Sequence, residues 1–295
     1  MAQWTICGAF CLSVMQDVPF YCYALDWIPI YMRPTFIRLL WSCRYYGLSI
    51  TGLTIFARLA SRMGWQFGKT PGFLAFKDRA IDRRFRISTV GVVLPDEMDV
   101  DTERREHAIQ YQPTASLDLA IVLDELADQV NLNDYSFVDF GSGKGRVILL
   151  ASEFPFRSVT GVEFSAELHD SATHNINSFS SPRQQCKEVT SLCLDAAEFP
   201  VPDGPVVLFF FNPFDDIVMS RVLSNIEASL AIAPRPVVCI YHNPVHRHLL
   251  DDSSFWKEQT GFSVEHKQWA VYSGGDSQQS VNPEPAIQLQ ITVPC

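Results

Sequence analysis

One ten-residue stretch constrains this chain most: Phe137-Val138-Asp139-Phe140-Gly141-Ser142-Gly143-Lys144-Gly145-Arg146. The apolar run Phe137–Phe140 is too short for a helix and is cut off by Gly141, as a buried central parallel strand would be. Three glycines at alternate positions permit φ > 0 and let a ligand approach the backbone closely. The helix that follows, Val147 to Ser152, presents free N–H groups and its positive dipole end to that ligand. Strand, glycine turn and helix together predict a nucleotide-type cofactor site.

The rest of the chain from residue 135 fits that nucleus. Strands are predicted near 136–140, 158–163, 188–194, 205–211 and 236–241, and helices near 145–154, 166–179 and 216–231, with a shorter one near 245–250. Such alternation gives a parallel sheet covered on both faces. Phe262–Tyr272 and Ala286–Val293 are strand-like, and Ser273–Pro285 between them fits no helix, so they are expected to pair antiparallel at one edge. Ahead of the sheet, Ala115–Val130 reads as a helix. Thr114 is its N-cap, Leu119, Leu123, Leu126 and Val130 face a core, and Asp118, Asp124, Glu125 and Asp128 face away.

Charge divides the chain. Residues 1–86 hold 11 Lys and Arg against 4 Asp and Glu (net +7), while residues 111–295 hold 10 against 23 (net −13). We therefore read residues 1–110 as a basic, apolar helical arm with an irregular linker, and residues 111–295 as an acidic globular domain. In the arm, Gly47 and Gly52 argue against one uninterrupted helix. Arg44, Arg58 and Arg62 share a face at 100° per residue, and Arg38 lies opposite. The arm either packs on the domain or on a second subunit, or lies on an anionic membrane through residues 1–65. Residues 66–114 read as irregular, with Asp82-Arg83-Arg84-Phe85-Arg86 and Asp96–Glu106 as solvated charge. The overall charge of −10 argues against a nucleic-acid acceptor. Eight cysteines without a C-x-x-C pair give weak support to zinc and none to a disulfide scaffold, and suggest free thiols in a reducing compartment. No uncharged run reaches the ~18–20 apolar residues of a membrane span, and the expected location is cytoplasmic, with peripheral membrane contact as the alternative.

The details of the glycine turn select among cofactors. No G-x-x-x-x-G-K-[ST] is present. A dinucleotide fingerprint needs glycine at its sixth position, which here holds Arg146. Asp139, at the tip of the first strand, suits a cofactor with a cationic amino-acid portion and would repel a pyrophosphate. Glu163 ends the second strand, 20 residues after Gly143, where a carboxylate can accept from ribose hydroxyls. Asp195 and Ala196 follow the third strand and suit an adenine edge; the alternative is that Asp195 caps a turn. Asn212-Pro213-Phe214 follows the unbroken apolar strand Val206–Phe211, outside whose carboxyl end ligands bind. His242 ends the fifth strand as a candidate base, with a backbone-bonded histidine as the alternative. His242, His246 and His248 lack the carboxylate or cysteine partners of a metal site.

Together these residues resemble the class I S-adenosylmethionine-dependent methyltransferases, over about residues 111–295. The resemblance implies a Rossmann-like, doubly wound, seven-stranded sheet, mostly parallel, with a terminal antiparallel pair. It implies S-adenosyl-L-methionine as cofactor: Gly141, Ser142, Gly143 and Gly145 around its methionine part, Asp139 on its amine, Glu163 on ribose, Asp195 and Ala196 on adenine, and Tyr111 and Thr114 closing over the methionine end. Asn212-Pro213-Phe214 is similar to a shortened [DN]-P-P-[YF] signature of N-methyltransferases, and the Asp-x-Gly-Ser-Gly-x-Gly form resembles the non-SET protein-lysine methyltransferases. A nitrogen of a protein or small molecule is the expected acceptor. Two other readings share the fold: an aminopropyl transferase, for which Asp215 and Asp216 are the acidic candidates, and a non-catalytic scaffold or membrane adaptor.

Overall fold

The computed structural model describes residues 33–62, 71–114, 116–264 and 267–274. Its centre is a seven-stranded sheet in the order β3-β2-β1-β4-β5-β7-β6. The strands are β1 Ser136–Phe140, β2 Ser158–Glu163, β3 Val189–Cys193, β4 Val206–Phe211, β5 Val237–His242, β6 Trp256–Val264 and β7 Lys267–Gly274. The first five are parallel, and β7 pairs antiparallel with both β5 and β6. The connections between parallel strands carry α5 Arg146–Ala151, α6 Ala166–Ser178 and α7 Asp216–Ile232. Among the described residues, four α-helices precede the sheet: α1 Arg33–Arg62, α2 Pro71–Phe85, α3 Thr102–His107 and α4 Ser116–Ala127; α8, His248–Asp251, follows β5.

Side chains alternate across β1 and β4, so the sheet feeds two cores. Phe137, Val207 and Phe209 pack with Leu119, Leu123 and Leu126 of α4 and with α5. Val138, Phe140, Leu208 and Phe210 pack with Met219, Val222, Leu223 and Ile226 of α7. At β4 the run Val-Val-Leu-Phe-Phe-Phe is buried up to its last residue, as a central strand covered on both faces requires. Its carboxyl end, with those of β1 and β2, forms the rim on which the site is built.

The first core extends into the N-terminal third. Trp41 and Tyr45 of α1 are buried there with Ile81 and Phe85 of α2. Trp41 stacks on Tyr45 at 5.5 Å and on Phe154 at 5.9 Å, with the Arg44 guanidinium 4.0 Å from its ring centre. Gly47, at φ 79 and ψ 167, breaks α1 into two pieces. Beyond it Leu48, Ile55, Phe56 and Leu59 are exposed.

Four expectations are corrected. Residues 66–114 are not irregular throughout: 71–85 form α2 and 102–107 form α3. Asp82 and Phe85 of the supposedly solvated cluster are buried. Part of the acidic side of α4 is covered by α1, where Asp118 meets Arg38 at 3.5 Å and burial, then Asp128, pushes Asp124 up to about 6, while Asp128 itself stays exposed. The cap expected from Thr114 rests on residue 115, which lies outside the described residues. The antiparallel pair is present but lies earlier than expected. Residues 262–272 span the end of β6 and most of β7, and 286–293 lie outside the described residues.

Candidate active site

The glycine turn joins β1 to α5 with all three glycines at positive φ: 75° at Gly141, 53° at Gly143 and 83° at Gly145. Space as well as conformation demands glycine at the first two. A Cβ on Gly141 would stand 2.4 Å from Pro213 Cβ, and one on Gly143 would stand 2.3 Å from the Tyr111 ring. The turn is fixed to the next strand, since Gly141 N–H and Ser142 N–H both donate to the Val162 carbonyl, at 2.9 and 3.1 Å.

Two carboxylates stand beside the turn. Asp139 is 2 % exposed, and its Oδ2 has no hydrogen-bond partner among the described residues. Burial, and then the nearby Glu163, raise its carboxyl well above the usual aspartate range. Glu163 is also buried, but its two oxygens accept from Gly143 N–H at 2.8 Å and Ser165 N–H at 2.9 Å. Burial raises its carboxyl too, and those backbone bonds work against the rise. The Ser142 hydroxyl is buried without a partner, like Asp139 Oδ2.

A cavity of about 270 Å³ brings together Tyr111, Thr114, Asp139, Gly141, Ser142, Gly143, Glu163, Asn212, Pro213 and Phe214. A second, of about 260 Å³, is lined by Asp195, Ala196, Leu194 and Val162. Gly141, Phe164, Pro213 and Phe214 line both. Together the cavities fall within the ~300–1,000 Å³ of small-molecule sites.

Asn212 is held at φ 42, and its side-chain oxygen accepts from the Tyr241 hydroxyl at 3.4 Å. Asp195 accepts from Ala197 N–H at 2.9 Å, so it caps the turn at the edge of the second cavity. Gly145 lines neither cavity; it begins α5 and packs on Ala172. His242 is not brought to the site. It is fully buried and stacked between Phe211 and Trp269, each 4.0 Å away, because β5 is covered there by β4 and β7.

Sequence reading missed two contributors. His107, at the end of α3, meets Asp215 at 2.5 Å and lines the second cavity. Burial raises the Asp215 carboxyl, but bonds from Val218 N–H and His107 outweigh it and hold it below its usual value. Asp215 also caps α7, so one of the two acidic candidates for a polyamine site is committed elsewhere. Asn243 follows β5 at φ 52 and lines the larger cavity beside Asn212. An asparagine directly after a strand was the readable signal for Asn243; nothing in the local pattern around His107 marks it.

The order of the strands settles the architecture: five parallel strands in the order 3-2-1-4-5, then an antiparallel strand inserted between the fifth and the edge. This is the Rossmann-like, mostly parallel seven-stranded sheet with a terminal antiparallel pair that the resemblance to the class I S-adenosylmethionine-dependent methyltransferases implies. No family model matches the chain, and no curated protein does. Solved structures are similar to it over somewhat more than half of its length. A putative methyltransferase, yhhF, from Escherichia coli is 13% identical, with a TM-score of 0.43, over 56% of this chain and 88% of its own. The ribosomal protein L11 methylase from Lactobacillus delbrueckii subsp. bulgaricus is 14% identical, with a TM-score of 0.40, over 56% and 90%. An RNA methyltransferase from Salinibacter ruber, in complex with S-adenosyl-L-homocysteine, is 18% identical, with a TM-score of 0.38, over 59% and 99%.

Proposed function

We propose that this chain is an S-adenosylmethionine-dependent methyltransferase acting on a nitrogen of a protein or small molecule. The observation that carries the reading is Asp139. A buried carboxylate with an unpartnered oxygen, on the wall of a cavity and beside a glycine turn, is costly unless a ligand supplies the partner. A cationic amine is the group that suits it, and a pyrophosphate is the group it repels. The residues present therefore fit S-adenosylmethionine: Asp139 on the amine, the backbone of Gly141 to Gly143 along the methionine part, Glu163 towards the ribose, and Asp195 with Ala196 at the adenine.

When bound, that cofactor supplies an electrophilic methyl group. The chain's own contribution is position and exclusion of water. Asn212 and the Pro213 carbonyl stand where they can accept from an acceptor N–H, and Phe214 walls both cavities. The acidic body from residue 111 onward supports a protein or small-molecule acceptor over a polyanion.

The test is to incubate the full chain and cell extract with methyl-labelled S-adenosylmethionine and fractionate the products. Label in protein or small molecules is expected. Label confined to nucleic acid would overturn the acceptor class, and no transfer to any fraction would overturn the enzyme.

A further inference from the structure

The cofactor turn is connected to α2, a helix outside the catalytic motifs, through a buried cluster. Asp82 of α2 is 9 % exposed and takes four donors. Its Oδ2 accepts from Thr89 N–H at 2.7 Å and Val90 N–H at 2.8 Å, and its Oδ1 from the Thr89 hydroxyl at 2.6 Å and Arg146 Nη2 at 3.2 Å. Arg146, the residue directly after the glycine turn, is 2 % exposed. It also donates from Nε to Thr89 Oγ1 at 2.7 Å and from Nη1 to Asp78 at 2.5 Å. Thr89 is fully buried and lines neither cavity. Its backbone carbonyl accepts from the Tyr111 hydroxyl at 2.6 Å, and the Tyr111 ring is the surface that a Cβ on Gly143 would strike.

We infer that Asp82, Thr89 and Arg146 are positioning residues that seat Tyr111 over Gly143 and so set the affinity of the cofactor cavity. The backbone of Tyr111 is paired with Val93, and the one polar atom of its side chain is committed to Thr89. The carbonyl it uses is held by the hydrogen bonds its own residue makes on either side, to Asp82 and to Arg146. Losing the Thr89 hydroxyl loosens the carbonyl, and losing the Tyr111 hydroxyl releases the ring from it, so the two changes act on one contact.

The inference rests on the cofactor reading above, and the test separates the two. Thr89→Val keeps the shape and removes the hydroxyl, Thr89→Ser keeps the hydroxyl, and Tyr111→Phe removes the anchor. Dissociation constants for S-adenosylmethionine are measured by calorimetry on the full chain, and amide exchange across residues 141–145 is measured without cofactor. Thr89→Val and Tyr111→Phe should each weaken binding about fivefold to tenfold, roughly the effect of one net hydrogen bond. The double variant should be no weaker than the worse single one, since coupled changes are not additive. Thr89→Ser should stay within about twofold of wild type, and exchange should quicken in both damaging variants. If those variants melt earlier yet bind and exchange like wild type, or if their effects multiply, the inference is wrong. If wild type does not bind but exchange responds as described, the cofactor reading fails and the positioning cluster stands.

Discussion

Asp139→Asn should make the cofactor-free protein more stable while disabling it. The substitution keeps the shape of a side chain that is 2 % exposed and removes its charge. An unpartnered buried amide costs less than an unpartnered buried charge, by about 1–3 kcal/mol, the scale of one unmet hydrogen bond to a charged group. At about 2–4 °C per kcal/mol for a chain of this size class, the melting temperature should rise by about 2–12 °C. The pH dependence fixes the sign. Burial, then Glu163, raises the Asp139 carboxyl in the folded protein. The unfolded chain releases that proton near the ordinary value of about 3.9, so across the window above it the folded state binds more protons than the unfolded state. Wild-type stability from this group is therefore full below that value and is lost as pH rises towards the raised folded value. The variant lacks that loss, and its advantage should widen from pH 5 to pH 8. Differential scanning fluorimetry across that range, with calorimetric titration of S-adenosylmethionine, reads both effects. A variant no more stable than wild type at pH 8, or one that binds the cofactor as wild type does, refutes the reasoning.

Other substitutions probe other parts of the account. Gly143→Ala meets both the left-handed backbone and the Tyr111 ring, about 1–2 kcal/mol for the first and about 1–3 kcal/mol for the second; it should lower the melting temperature and block cofactor binding, with Tyr111→Ala restoring part of the stability. Asn212→Gly relieves a residue at φ 42, so stability should hold within about 1 kcal/mol while methyl transfer falls about tenfold or more, the loss of ~1.4 kcal/mol in the transition state. Trp41→Ala removes a ring buried against Phe154 and should cost about 3–5 kcal/mol in chemical denaturation, which a loosely attached arm would not show.

Legibility followed the kind of order each segment has. The tip of β4 was readable because an unbroken apolar run ends there at Asn212, and those of β1 and β2 because a carboxylate, Asp139 or Glu163, stands at or beside the end of each. Helix α2 was hidden by its charges. Asp78, Asp82 and Arg146 look solvated in sequence, yet they pair with one another across 64 or more residues, and no local pattern carries that distance. The same holds for Arg38 with Asp118, which turns part of the polar side of α4 into an interface. Strand β6 begins in Trp256-Lys257-Glu258-Gln259, where an edge position lets polar residues face water, so strand alternation there is weak. His242 looked available because it ends a strand at the correct rim, but stacking between Phe211 and Trp269 is set by β7, whose register local sequence does not give.

The cavity beside Asp139 and Gly143 is proposed to hold S-adenosylmethionine. Isothermal titration of the full chain with that cofactor, with Gly143→Asp as the control, tests it most directly. Saturable one-to-one binding by wild type and none by the control is the predicted result; no heat of binding by wild type at millimolar cofactor would contradict it.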